Sequence, residues 1–335
     1  MSGRRVLLYF AWSRPAETGA RLTVIDDRFP AIFELRRLFY PKFEDLSDPE
    51  HVDQGIAGFL DHVQKPNFAA FAEQAEVQTG RPVTQVERVG DDGSVTLLDD
   101  ALLAGVDTIV AISFDSLRTH QNATPAEIEA VRRFLSNPDH LIVVCPHHDI
   151  GTTPEPTAEA RIARQTADFL HHGDKAIPPR QTFGGFARTL LAGLGVPIEN
   201  RFGLRPATEA DGTPAPIEVE RSLDRLALLE GVETFNHHPH LPQLERIEAS
   251  TTRMDVLARQ RIDLAAPPHP FTLGGRQSFD ALLQSRREVF AGTVLVSDTT
   301  LWSSTAGGID SLRRLWSNLV QRPRLPSAVG VRTAG

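Results

Sequence analysis

The chain has 335 residues, of which 41% are hydrophobic and 23% are charged, a composition typical of a soluble globular protein with one large domain or two smaller ones. Its 35 Lys and Arg residues against 43 Asp and Glu residues give a formal net charge of −8, which argues against a nucleic-acid-binding protein because such proteins need a basic face. No apolar run approaches the about 18 residues of a membrane span, and the single cysteine, Cys145, excludes an internal disulfide framework. We therefore expect a cytoplasmic α/β protein whose partner is a small molecule, not a nucleic acid or a membrane.

The first hundred residues combine one buried strand with several helices. Residues 6–10 form a continuous apolar run that is typical of a buried strand. Apolar residues at helical spacing predict helices over residues 30–40, 53–63 and 68–78. Two weaker strands are predicted over residues 83–89 and 94–98, separated by a turn at residues 90–93.

The best-defined unit follows in residues 106–145. Residues 106–113 are a near-continuous apolar strand, and residues 140–145 are another that ends at Pro146. Between them, the tetrapeptide Thr124-Pro125-Ala126-Glu127 combines an N-cap, a proline at the first helical position and a capping-box carboxylate. A helix is therefore predicted up to about residue 135, and the strand–helix–strand crossover predicts a parallel strand pair.

The remaining elements complete a single α/β domain over residues 1–320. Helices are predicted over residues 157–170, 183–194 and 309–320, strands over residues 223–229, 251–258 and 293–296, and an exposed loop over residues 207–216. Within the domain, residues 1–100 carry extra helices and residues 101–320 form the core. A frayed tail is predicted over residues 321–335.

Three of these stretches together resemble a known superfamily. They are the strand–helix–strand unit from Val106-Asp107 to Cys145, the short helix and Gly195 within residues 183–196, and the late strand Gly292–Asp298 with Leu301-Trp302. Together they are similar to the class I glutamine amidotransferase-like superfamily, especially to trehalose-utilisation-like domains and to domains associated with gliding-motility transporters and intraflagellar-transport proteins. The resemblance implies a flavodoxin-like fold, with a doubly wound, mostly parallel sheet and helices on both faces.

The chain departs from the glutaminases of that superfamily at the residues that would do their chemistry. These enzymes place a cysteine on a turn flanked by glycines, and they use a later His and Glu. Cys145 ends the corresponding strand but is flanked by Val144 and Pro146, and in His238-Pro239-His240 a histidine replaces the carboxylate. We therefore expect a branch that does not hydrolyse glutamine.

Histidines and carboxylates follow the ends of several predicted strands. His147, His148 and Asp149 follow the strand at 140–145 after Pro146, while Asp298 lies at the exit of the strand at 293–296. A third group follows the apolar stretch at 232–235 and contains His237, His238 and His240. Because the carboxyl ends of parallel strands meet at one edge of an open α/β sheet, we expect these side chains to converge in a crevice there.

Imidazole and carboxylate ligands in a mixed set suit Zn²⁺, Mn²⁺ or Fe²⁺, and we expect zinc first, with manganese or iron as alternatives. The predicted ligands are His148, Asp149 and His238, and His147 or His240 could replace Asp149. A metal in such a site lowers the pKa of bound water to about 7 and polarises a carbonyl group. Two alternatives are a metal-free cleft in which one histidine is a general base, and solvated loop histidines without a catalytic role.

The predicted function is hydrolysis of a small carbonyl compound, an ester, lactone or amide, by metal-activated water. His147, His240 and Asp298 are candidates for general acid–base catalysis. Arg161 and Arg164 are candidates for binding an anionic part of the substrate, although a solvated helix face would look the same.

Two other functions remain open. The first is a metal-free hydrolase with Cys145 as nucleophile and His238 as its partner, and the second is a non-catalytic ligand-binding domain. Cys145 could equally be a small buried residue that ends a core strand. The sequence does not decide between a monomer and a homo-oligomer.

Overall fold

The computed structural model describes residues 3–18, 65–115, 119–147, 184–200, 203–235, 241–266, 270–304 and 309–324. Its strands, in chain order, are β1 Val6–Ser13, β2 Thr84–Val89, β3 Thr108–Ser113, β4 Leu141–Pro146, β5 Ile198–Glu199, β6 Gly203–Leu204, β7 Glu218–Val219, β8 Leu241–Pro242, β9 Glu245–Arg246, β10 Met254–Arg261, β11 Ser278–Ser285 and β12 Thr293–Ser297. Its helices are α1 Arg14–Thr18, α2 Lys65–Asn67, α3 Ala69–Thr79, α4 Asp100–Leu103, α5 Pro125–Phe134, α6 Phe186–Gly193, α7 Ser250–Arg253, α8 Pro270–Leu273 and α9 Ile309–Gln321, with a 3₁₀ helix at Thr299–Trp302. The helices predicted over residues 30–40, 53–63 and 157–170 lie outside the described residues.

A sheet of eight strands, in the order β2-β1-β3-β4-β12-β11-β10-β7, organises the fold. The first five strands in this order are parallel to one another, whereas β11, β10 and β7 extend the sheet in antiparallel fashion. The predicted parallel pairing around α5 is confirmed, since β3 and β4 run side by side from Thr108 beside Leu141 to Ser113 beside Pro146. The protein is therefore a mixed α/β fold on a large, mostly parallel sheet.

Alternate residues of the central strands point into two separate clusters of buried apolar side chains. Leu8 and Phe10 of β1 belong to one cluster, together with residues of α3 and α9. Leu7 and Tyr9 belong to the other, together with residues of α5 and α6. Because apolar side chains cover these strands on both sides, β1, β3 and β4 are near-continuous hydrophobic runs in the sequence.

Helix α5 begins where the capping signal predicts. The Thr124 side chain accepts a hydrogen bond from the Glu127 backbone N–H (3.3 Å), and the Glu127 carboxylate accepts one from the Thr124 backbone N–H (2.9 Å). Two N–H groups that have no partner within the helix are satisfied in this reciprocal way. The predicted capping box is confirmed, and it fixes the crossover that places β4 next to β3.

Three predicted strands need correction. Residues 223–229 form turns because the Asp224 carboxylate accepts hydrogen bonds from the backbone N–H groups of Leu228 (2.9 Å) and Leu229 (2.7 Å), which replace strand pairing. Residues 94–98 contribute only an isolated bridge between Val95 and Val89. The strand predicted over 251–258 begins at Met254, after α7, and continues to Arg261.

Arg4 and Arg322, which are far apart in the sequence, lie in contact at the amino ends of the parallel strands. Arg322 is buried, and its guanidinium donates to the Thr108 hydroxyl (2.8 Å) and to the carbonyl oxygen of Asp139 (2.9 Å). Arg4 donates to both carboxylate oxygens of Asp139 (2.9 Å each) and to the carbonyl oxygen of Arg322 (3.0 Å). Residues 321 and 322, which the sequence assigns to the frayed tail, are thus part of the packed fold.

In the part of the chain that the structure describes, no helix has both the length and the apolar character needed to cross a membrane.

Candidate functional site

The carboxyl ends of β4 and β12 bring together His147 and Asp298. The two strands are parallel neighbours, with Val144 beside Val296, so the residues that follow them leave the sheet at the same edge. Nδ1 of His147 lies 3.6 Å from Oδ2 of Asp298 and 3.2 Å from the hydroxyl of Thr299. The structure thus brings together these two of the predicted residues.

Asp298 is a buried carboxylate with two different sides. Its Oδ1 accepts hydrogen bonds from the backbone N–H (2.9 Å) and the hydroxyl (2.5 Å) of Thr300. Asp298 thereby caps the 3₁₀ helix. Its Oδ2 faces His147 and has no closer hydrogen-bond partner among the described residues. Burial raises the pKa of Asp298, but His147 and Thr300 outweigh burial and hold that pKa below its usual range. The carboxylate is therefore ionised at neutral pH and available to orient the imidazole.

His147 is held on three sides. Its ring stacks on Phe114, which follows β3, with ring centroids 4.2 Å apart and planes inclined by 22°. Its Nδ1 faces Asp298 and Thr299, and its carbonyl oxygen accepts a hydrogen bond from the side-chain amide of Asn200. The ring is buried, at 6% exposure. Such an arrangement fixes the orientation of an imidazole, as acid–base catalysis requires.

Cys145 lies two residues before His147 but in a different environment. Its side chain is fully buried in the apolar cluster that contains Phe10, and Sγ is 3.9 Å from the hydroxyl of Ser297. Burial raises the pKa of the Cys145 thiol well above its usual range. A reactive cysteine needs the opposite shift, so this environment favours a packing role.

Two buried polar residues at the same edge carry no sequence motif and were not predicted. Asp115 follows β3 and accepts hydrogen bonds from the Ser113 hydroxyl (2.5 Å) and from the backbone N–H groups of Gly185 (2.7 Å) and Phe186 (3.1 Å) at the start of α6. Burial raises its pKa despite these donors. Asn200 follows β5 and is likewise fully buried. A carboxylate two residues after a buried strand is the signal that could have identified Asp115.

The other predicted site residues lie outside the described residues, namely His148, Asp149, His238, His240, Arg161 and Arg164. Two imidazoles and a carboxylate are a donor set that zinc accepts. Within the described ranges, no group of three or more His, Cys, Asp or Glu side chains is placed to hold a metal ion.

A polar cleft of about 410 Å³ lies beside β1 and β2, and none of the described residues that line it is a predicted site residue. Glu87 lines it, and the Glu87 carboxylate accepts hydrogen bonds from Trp12 Nε1 (2.9 Å), Lys65 Nζ (2.6 Å) and Arg14 Nη2 (2.8 Å). Both cations are engaged by this carboxylate, so the cluster acts first as a structural ion-pair network.

No family model and no curated protein matches the chain. Among solved structures, an exo-β-1,4-mannosidase from Opitutaceae bacterium strain TAV5 is similar over 96% of this chain, with 12% sequence identity and a TM-score of 0.36. The chain covers 36% of that protein. At this TM-score the similarity defines neither a fold nor an activity for the chain.

Proposed function

We propose that the chain is a hydrolase of a small carbonyl substrate, an ester, lactone or amide, with His147 as its general base. The observation that carries this proposal is the buried pair of His147 and Asp298 at the carboxyl ends of adjacent parallel strands, with 3.6 Å between Nδ1 and Oδ2. In open α/β sheets this edge is where ligands bind. An imidazole oriented by a carboxylate is a recurrent element of hydrolytic sites.

The chemistry follows from where the proton lies on the ring. With Nδ1–H directed at Thr299 and Asp298, Nε2 carries the lone pair and can take a proton from a water molecule. The water oxygen forms a bond to the carbonyl carbon, and the bond to the leaving oxygen or nitrogen breaks. The proton passes from Nε2 to the leaving group, while the Asp298 carboxylate stabilises the imidazolium that forms between these steps.

The metal-dependent form of the reaction is part of the proposal. His148, Asp149 and His238 would hold the ion, with zinc first and manganese or iron as alternatives. A bound metal supplies a water of lowered pKa and polarises the carbonyl group. His240 is a further candidate base, and Arg161 and Arg164 would bind an anionic part of the substrate.

The strand order also supports the proposed fold family. The five parallel strands β2-β1-β3-β4-β12 follow the order 2-1-3-4-5 of flavodoxin-like, doubly wound sheets. We extend the proposal to that fold, to the amidotransferase-like resemblance and to a cytoplasmic location, which suits a chain with one cysteine. The alternative with Cys145 as nucleophile has less support because its thiol is buried and its pKa is raised.

The test compares two histidines at opposite ends of β4. His140 stacks on Phe134 with ring centroids 4.2 Å apart, much as His147 stacks on Phe114, so His140→Gln is a matched control for His147→Gln. On a panel of aryl esters, lactones and anilides, we expect His147→Gln and Asp298→Asn to lose on the order of 10²-fold or more in kcat. His140→Gln should retain the activity of the parent protein. Full activity in His147→Gln would refute the proposed base.

The metal is tested separately by elemental analysis of protein purified without an affinity tag. Near-stoichiometric zinc, manganese or iron is expected, and it should be lost in His148→Ala and in His238→Ala. A protein without metal, or with metal unchanged in both variants, would refute the metal while leaving the kinetic test of His147 intact.

A further inference from the structure

The chain leaves β4 at a point that is held by a side chain from elsewhere in the fold. Asn200, directly after β5, is fully buried. Its Nδ2 donates a hydrogen bond to the carbonyl oxygen of His147, a residue 53 positions away in the sequence. Because β4 ends at Pro146, strand pairing no longer serves this buried carbonyl group, and the amide supplies the partner that it needs.

Arg188 on α6 determines which way the Asn200 amide points. Its Nη2 donates to Oδ1 of Asn200 (2.7 Å), while its Nη1 donates to the carbonyl oxygen of Gly184 (2.6 Å). Its Nε lies 3.4 Å from the carboxylate of Glu199. Since an arginine can only donate, Oδ1 must face it, and Nδ2 must therefore face His147. The orientation of the amide is thus fixed by chemistry.

We infer that Asn200, oriented by Arg188, is a positioning residue for His147. The hydrogen bond fixes the peptide plane of His147 and with it the Cα–Cβ direction that places the ring between Phe114 and Asp298. The predicted ligands His148 and Asp149 follow directly in the sequence. The inference rests on the proposed function, because it assigns Asn200 a role in the acid–base chemistry of His147.

The first readout is the ring of His147 itself, observed by long-range ¹H–¹⁵N spectra of histidine-labelled protein. Its signals are identified by their loss in His147→Gln. We expect Asn200→Ala to shift or broaden them and to leave those of His140 unchanged. The matched control is Asn318→Ala, because the Asn318 amide also donates to two backbone carbonyl oxygens, those of Leu228 (2.9 Å) and Glu230 (2.8 Å). This control should leave the His147 signals in place.

The second readout is kinetic. Loss of a residue that orients an active-site group typically lowers activity by about 10- to 100-fold, and we expect a fall of this size in kcat for Asn200→Ala, with KM little changed. Arg188→Lys should give a smaller fall, because a lysine still donates to Oδ1 but cannot also hold Gly184 through a second nitrogen.

The outcomes separate the two proposals. Unchanged His147 signals in Asn200→Ala would overturn the inference. Shifted signals combined with full hydrolysis by His147→Gln would refute the proposed function and leave only a structural hydrogen bond. If Asn200→Ala does not fold, Asn200→Asp makes the same test, since it keeps the side-chain volume and the acceptor for Arg188 but loses the donor to His147.

Discussion

Replacing Glu87 by Gln should remove a pH-dependent contribution to stability. The Glu87 carboxylate is 13% exposed and is paired with Arg14 and Lys65. Burial raises its pKa, but the hydrogen bonds from Arg14, Lys65 and Trp12 outweigh burial and lower the pKa from 4.5 to about 2. At about 1.4 kcal/mol per pH unit, this difference corresponds to about 3 kcal/mol of folding free energy at neutral pH.

The sign of the pH dependence follows from the direction of the shift. Because the pKa is lower in the folded state, the stabilisation is full above pH 4.5 and is lost as the pH falls towards 2. The assay is urea unfolding of the parent protein and Glu87→Gln at several pH values from 7 down to 3. The gap between the two unfolding free energies should be about 3 kcal/mol at neutral pH and should narrow below pH 4.5.

The control is Glu129→Gln, which removes an exposed carboxylate paired with Arg132 on the surface of α5. Such a pair contributes less than about 0.5 kcal/mol. A Glu87→Gln gap that is no larger than in this control, or that stays constant across the whole pH range, would refute the reasoning.

Three further outcomes are expected. Thr124→Ala removes the cap of α5 and should cost about 1 kcal/mol in urea unfolding; an unchanged midpoint would contradict the role of the capping box. Gly292→Ala places a Cβ 2.8 and 2.9 Å from two backbone carbonyl oxygens and should lower the free energy of unfolding by about 1–3 kcal/mol. Its control, Gly105→Ala, places a Cβ with no atom within 4 Å and should change that free energy by less than about 0.5 kcal/mol. Equal effects of the two substitutions would contradict the close approach at Gly292. Cys145 should react with a thiol-labelling reagent only after unfolding in urea, because its thiol is buried; rapid labelling of the folded protein would contradict this packing.

The elements with strong local signals could be predicted from the sequence. The capping tetrapeptide at Thr124 locates the start of α5, and the continuous apolar runs locate β3, β4 and β12 to within a few residues. The meeting of His147 with Asp298 then follows from one general rule, that parallel strands end at a common edge.

The elements that depend on individual side-chain contacts could not be predicted. Asn200 is fixed by a hydrogen bond to a carbonyl group 53 residues away, and a two-residue strand such as β5 has too few residues to show a period. Strand β11 was missed, and Asp224 turned a predicted strand into turns through bonds to its own neighbouring backbone. For Asn200 and Asp224, a single contact that the residue pattern does not show decided the local conformation.

The hydrogen bond from the Arg4 guanidinium to the carbonyl oxygen of Arg322 forms late during synthesis of the chain. The two residues are 318 positions apart, and a ribosome that adds about 5–20 residues per second needs roughly 15 to 60 s to cover that distance. Through this interval β3 and β4 lack Arg322, which donates to the carbonyl oxygens of Asp107 and Asp139 just before these two strands. β12, which pairs with β4, is also made late. The last strand to be made, β12, therefore enters the interior of the sheet between β4 and β11. The last polar contacts of the sheet form only when nearly all of the described chain has been made.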